Sequence, residues 1–179
     1  MKRTMLLTAA VLLCLALTAC GGGDPYAPLQ EQLEAAKAEG CVVTENGGVT
    51  AGQEAWQTFC ETAWAGDGAE VRLADWQDAT DSSPACLYFQ TLAFDGETYT
   101  LTDEYGESDG GEPWQESYTE LLRFSYTDWR DNSCTAYFLT NDPDVTREDI
   151  SRMETASLES QTVDVRGVYT ECVPKNGGV

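Results

Sequence analysis

Cysteines and carboxylates are the residues in this 179-residue chain that could do chemistry, and their neighbours say which kind. Met1-Lys2-Arg3 leads into an almost unbroken apolar run from Met5 to Leu17, then Leu17-Thr18-Ala19-Cys20 and Gly21-Gly22-Gly23. A basic start, a short apolar stretch and small residues before a cleavage point make a secretory signal. A cysteine directly after Ala19 makes it a lipobox: the Cys20 thiol takes a diacylglycerol and Cys20 becomes the mature N-terminus. The apolar run is shorter than the roughly 20 residues that cross a bilayer. Cleavage at a plain A-x-A-type site is the alternative, and the cysteine with its glycine tether favours lipidation. Several acyl chains hold a protein at a membrane stably where a single one does not.

The carboxylates fall into two crowded loops. Asp103, Glu104, Glu107, Asp109 and Glu112 share one; Asp142, Asp144, Glu148 and Asp149 share the other. Oxygen-rich loops suit calcium, yet neither follows the D-x-[DN]-x-[DN]-G loop that closes on a glutamate. A solvated acidic surface is the plainer reading. Trp76 and Trp129 stand among acids, in Asp75-Trp76-Gln77-Asp78 and Asp128-Trp129-Arg130-Asp131. Exposed aromatics beside carboxylates can bind sugar rings, and paired carboxyls can cleave them; more often such residues cover a sheet edge or the core.

Absences exclude more. The chain has no histidine, which removes Ser-His-Asp and Cys-His nucleophile systems, imidazole zinc sites and the usual proton shuttle near neutral pH. No glycine-rich stretch has the spacing that cradles phosphate. Removal of the leader up to Ala19 leaves Cys20 and the 159 residues after it, enough for one domain with a core of its own. That removal takes away Lys2 and Arg3, so eight basic residues face 31 acidic ones and the net charge falls to −23. Nucleic acid is a poor partner for such a field, and cations are better ones.

The elements that must position these residues follow from periodicity. Pro28 to Glu39 reads as a helix with Leu29, Leu33 and Ala36 on one stripe, closed by Gly40. Cys41 to Thr44 is a short strand ended by the turn Asn46-Gly47-Gly48. Thr50 to Ala65 is the main helix: Thr50 with Gln53 reads as a capping box, and Trp56, Phe59, Cys60 and Ala63 fall at i, i+3, i+4 and i+7. Glu70 to Trp76 is a strand. Ala85 to Thr102 is a hairpin on Asp95-Gly96, the type I′ signal, which would set Leu92 opposite Tyr99 and Gln90 opposite Leu101. Tyr88, Leu92, Phe94, Tyr99 and Leu101 then share the buried face. Further strands fall at 116–126, 133–140 and 162–172, with a short helix from Asn141 to Glu154 turning Val145, Ile150 and Met153 inward. The fold class expected is α+β: an antiparallel sheet with one main amphipathic helix and a short second helix packed on one face, preceded by a helical signal peptide. The divisions are a signal at 1–19, the lipidated cysteine and tether at 20–27, a single domain at 28–173 and a tail at 174–179.

Several of these signatures occur together elsewhere. Ala38-Glu39-Gly40-Cys41-Val42-Val43, Gly47-Gly48-Val49, Trp56, Phe59, Glu70-Val71-Arg72-Leu73 and Phe94-Asp95-Gly96 form a pattern that resembles a family of small bacterial lipoproteins carrying a domain of unknown function. The resemblance covers about Ala36 to Asp103; beyond it only Cys134 and Cys172 look alignable. It implies an exported α+β domain and brings no catalytic residues. The family carries a lysine-rich helix-to-strand turn and acidic side chains where this chain has Gly66-Asp67-Gly68-Ala69-Glu70, Cys41 and Cys86.

Those departures suggest how the five cysteines after Cys20 are used. Five is odd, so at least one stays unpaired. Cys134 with Cys172, in late strands, is the first expected disulfide and Cys41 with Cys86 the second, leaving Cys60 as a buried thiol. The chain is therefore expected to be a non-enzymatic binding or interaction module, lipid-anchored on the extracytoplasmic face of the cell membrane. It would act as a monomer without cofactor or metal, with an envelope protein as partner and no nucleic acid. The alternative is a calcium- or glycan-binding lipoprotein using Asp103, Glu104, Asp109, Trp76 and Trp129.

Overall fold

The computed structural model describes residues 25–104, 113–155 and 164–174. The leader, Cys20, Asp109 and the last five residues lie outside them, as does the Met153 side chain.

The first helix, α1 (Ala27–Glu39), carries Pro28 in its opening turn, where a missing N–H costs nothing. Gly40 (φ 84°) ends it, and the next amide, of Cys41, reaches back to the Ala36 carbonyl at 3.0 Å. A tight hairpin follows, β1 (Val42–Glu45) and β2 (Gly48–Ala51), turned on Asn46 and Gly47, both with positive φ as a type I′ turn requires. The strand β2 was not foreseen, because its residues read as a turn and a helix start. It also removes the expected capping box. Thr50 sits in β2 and donates to Glu45 (2.7 Å), while Gln53 donates to Glu171 (2.6 Å). Helix α2 (Gln53–Trp64) begins instead at Gly52 with φ 76°. Its Trp56, Phe59, Cys60 and Ala63 are all buried, as their spacing demands.

Next come β3 (Ala69–Gln77), β4 (Cys86–Phe94), β5 (Tyr99–Asp103) and β6 (Trp114–Tyr118). With β1 and β2 they form a six-stranded sheet in the order β2-β1-β3-β4-β5-β6. The β4–β5 hairpin pairs Leu92 with Leu101 and Phe94 with Tyr99, two residues away from the expected register. Asp95 causes the slip: its carboxylate accepts the amides of Glu97 (2.9 Å) and Thr98 (2.8 Å), so the turn has four residues. A shift of two leaves every side chain on its expected face, which is why the buried set survives. Tyr88 is the exception, on that face but exposed.

The strand expected over 116–126 is in fact two. The chain turns a corner at Thr119, whose amide bonds the Asn141 side-chain oxygen at 3.1 Å while the Asn141 amide donates to the Ser117 carbonyl. Beyond the corner β7 (Glu120–Thr127), β8 (Ser133–Thr140) and β9 (Val165–Val173) build a second, antiparallel sheet in the order β7-β8-β9. Between β8 and β9, α3 (Arg147–Thr155) starts later than expected, where Thr146 and Asp149 cap each other reciprocally, and it buries Ile150.

Alternation along the strands places the helices. Val42, Val71 and Leu73 pack with α2 and the second sheet, whereas their neighbours Val43, Ala74 and Trp76 pack with Leu33 and Ala36 of α1. Successive strand residues point to opposite faces, so the large sheet is covered on both. The α+β class is as expected, with three helices among the described residues. Two features correct its details: α1 lies on the face opposite α2, and β1 runs parallel to β3.

Candidate functional site

The second sheet covers only part of the large one, and the uncovered part forms a cleft. On the α2 side, β1, β3 and β4 present two cross-strand rows, Val42-Leu73-Gln90 and Thr44-Asp75-Tyr88. The edge strand β9 passes over them, and its residues Gly167 to Thr170 form the opposite wall. The space between is about 370 Å³ and open to solvent. Val42, Leu73 and Val168 make its inner end apolar, and Thr44, Asp75, Tyr88 and Gln90 make the rest polar.

Asp75 is the acidic residue of this lining. It is half-buried and accepts hydrogen bonds from the Thr44 hydroxyl (2.5 Å) and the Gln77 side-chain amide (2.8 Å). Both partners are neutral, so among the described residues its charge meets no ion-pair partner. A carboxylate oriented by two donors at the floor of an open cleft offers its remaining lone pairs to an incoming cation.

The residues singled out from the sequence are scattered. Asp103 stands opposite Gln90 in register, on the cleft side. Its neighbour Glu104 is turned to the other face, where Arg72 grips it with two hydrogen bonds (3.0 and 2.6 Å) and Thr91 adds a third (2.9 Å). The Arg72 bonds hold the Glu104 carboxyl below its ordinary range. Divided in this way, Asp103 and Glu104 do not make one cation site. Trp76 is only 6% exposed, and its indole N–H donates to Asp78 (2.8 Å). It is a core residue on the α1 side, not the exposed platform a sugar would need. Trp129 is 85% exposed at the β7–β8 turn with the Arg130 guanidinium 4.4 Å above its ring. Asp128 fixes that turn through the amides of Arg130 and Asn132 and the Asn132 side chain, each at 2.8 Å. The two tryptophans belong to different sheets and share no surface.

The cysteines divide as follows. Cys134 and Cys172 are directly paired across β8 and β9 and are joined in a disulfide, the first expected pair. Closing a loop over a sequence separation of 38 restricts the unfolded chain by about 3–4 kcal/mol in the entropic account. Asp128 lies against both sulfurs, but sulfurs bonded to one another are not thiolates and ligate no metal. The second expected pair does not form: Cys41 and Cys86 are free. Cys41 precedes the partner of Leu73, and Cys86 faces Gln77. They are therefore about five residues, or roughly 16 Å, apart along the strands, far beyond the ~7 Å Cα span of a disulfide. Burial raises the Cys41 thiol and pushes Cys60 up to about 12, so neither is a ready nucleophile.

The cleft residues Thr44, Asp75, Tyr88 and Gln90 were not picked out as a site. One signal was present. Alternation from Val71 through Leu73 puts an aspartate at the next position of the buried side, and an acid there needs a reason.

The chain matches no family model, no curated protein and no solved structure. No helix among the described residues is long and apolar enough to cross a membrane.

Proposed function

We propose that this protein is a non-enzymatic binding module, lipid-anchored through Cys20 at the extracytoplasmic face of the membrane, whose cleft beside β9 takes a cationic ligand. The observation that carries the ligand assignment is Asp75, a half-buried carboxylate with only neutral partners at the floor of an open cleft. The net charge of −21 adds long-range attraction for a cation and repels anionic ligands. The leader and Cys20 supply the address.

Titration with hexalysine tests the ligand class. The diffuse acidic field is screened by salt, since the Debye length is about 6 Å or less at 0.3 M, whereas a contact made inside the cleft is screened less. At that salt Asp75→Asn is expected to weaken binding at least tenfold, in line with the roughly 1.5–3 kcal/mol of a charged hydrogen bond. Glu97→Gln, in the β4–β5 turn, should change it little. Equal affinities for the Asp75→Asn and parent proteins would overturn the assignment.

The anchor is checked separately. Labelled palmitate should enter the protein in cells and be lost from Cys20→Ser, which should also leave the membrane fraction. Undiminished labelling in that variant would place the lipid elsewhere, and no labelling of the parent protein would deny it.

A further inference from the structure

The wall of the cleft is a strand edge, and that edge says more about the ligand than its charge does. Among the described residues β9 pairs with β8 alone, and β2, which lies beside it, pairs only with β1. One side of the β9 backbone is therefore not part of any ladder. The phase of that side can be read from the disulfide pair. Cys134 and Cys172 lie opposite each other with Cα atoms 4.0 Å apart, the narrow spacing of a non-hydrogen-bonded pair, in which both residues turn their N–H and C=O groups away from each other. Ala136 and Thr170 are the next pair of that kind, two residues along with no irregularity between. The N–H and C=O of Thr170 thus point outward, and Thr170 lines the cleft.

The edge is also bounded. The β8–β9 register shifts between Tyr137 and Phe138, which leaves Val168 as an extra residue next to Gly167. Such a bulge ends regular pairing on an edge strand. A stretch of four residues, Gly167 to Thr170, spans about 13 Å, room for a short strand and not for a long one. Asp75 lines the same cleft as this stretch.

We infer that the cationic ligand is an extended segment of a partner protein that adds as a short fourth strand along β9 and lowers a lysine or arginine onto Asp75. This rests on the cationic reading above and deepens it. Main-chain hydrogen bonds from an added strand supply affinity, and a pocket for alternate side chains supplies specificity. Here that pocket is the Thr44-Asp75-Tyr88 row, with Gln90 behind it.

The test uses three probes on the purified protein: a blocked pentapeptide with central lysine flanked by valine and threonine, the same peptide N-methylated on either side of the lysine, and spermidine. N-methylation removes the main-chain donors and keeps the charge. The parent peptide is expected to bind at least tenfold more tightly than either other probe. It should slow hydrogen exchange at the Thr170 amide at least tenfold and lose at least tenfold in affinity to Asp75→Asn. Equal binding of all three probes, still dependent on Asp75, would overturn strand addition and leave the cationic cleft standing. Strand-like binding indifferent to Asp75→Asn would overturn the cationic reading instead. No binding of any probe would overturn both.

Discussion

Replacing Gly52 with alanine is expected to destabilise the protein by about 4 kcal/mol or more, the range reserved for changes that force the backbone to move. Gly52 joins β2 to α2 with φ 76°, and an added Cβ would lie 2.2 Å from the Cys41 carbonyl oxygen and 2.6 Å from the Val42 Cα. Both obstacles are backbone, one of them in a central strand, so no side-chain rotation relieves the clash. Gly66→Ala separates this from the general cost of the left-handed region. Gly66 has φ 85° and open space around its Cβ position, so only the conformational penalty of about 1–2 kcal/mol applies. Urea unfolding of the two variants should give midpoints far apart with similar slopes. Similar midpoints would mean that the turn into α2 yields more easily than its packing against β1 indicates.

Trp56→Ala should cost about 3–5 kcal/mol, the usual range for deleting a buried tryptophan. Trp56 is buried in α2, stacked on Tyr169 with centroids 4.5 Å apart and edge-on to Tyr137 at 5.1 Å. These contacts bind α2 to the second sheet, and Tyr169 belongs to the strand that walls the cleft. The same variant should therefore lose cleft binding even under conditions where it remains folded. Trp56→Phe makes the useful contrast. Among the described residues no well-formed hydrogen bond satisfies the indole N–H, which has Tyr137 as a polar neighbour, so phenylalanine gives up volume and at most a weak contact, and about 1–2 kcal/mol is expected. A loss in the phenylalanine variant as large as in the alanine variant, measured by equilibrium unfolding, would show that the indole N–H has an acceptor after all.

Local pattern was enough to find the parts whose cause is local. The α2 stripe was legible because helical period depends only on spacing, and the strands of the β4–β5 hairpin because alternation does. The hairpin face survived an error in register for the same reason. The Thr50–Gln53 box was misread because its residues were claimed by partners distant in sequence: Gln53 by Glu171, and Thr50 by a strand that exists only by pairing with β1.

By itself the sequence determined the α+β class, the apolar faces, and an acidic, histidine-free composition that excludes imidazole-based chemistry, while the secretory leader and Cys20 stand as a proposal. Only the tertiary structure decided that the chain leaves one sheet for another at Thr119, that Asp103 and Glu104 face opposite ways, that Cys41 cannot reach Cys86, and that β9 leaves Asp75 in an open cleft. The physical reason is common to all four. Periodicity tells which side of its own element a residue occupies, but what covers that side is set by strand pairing and sheet packing between residues far apart in the chain.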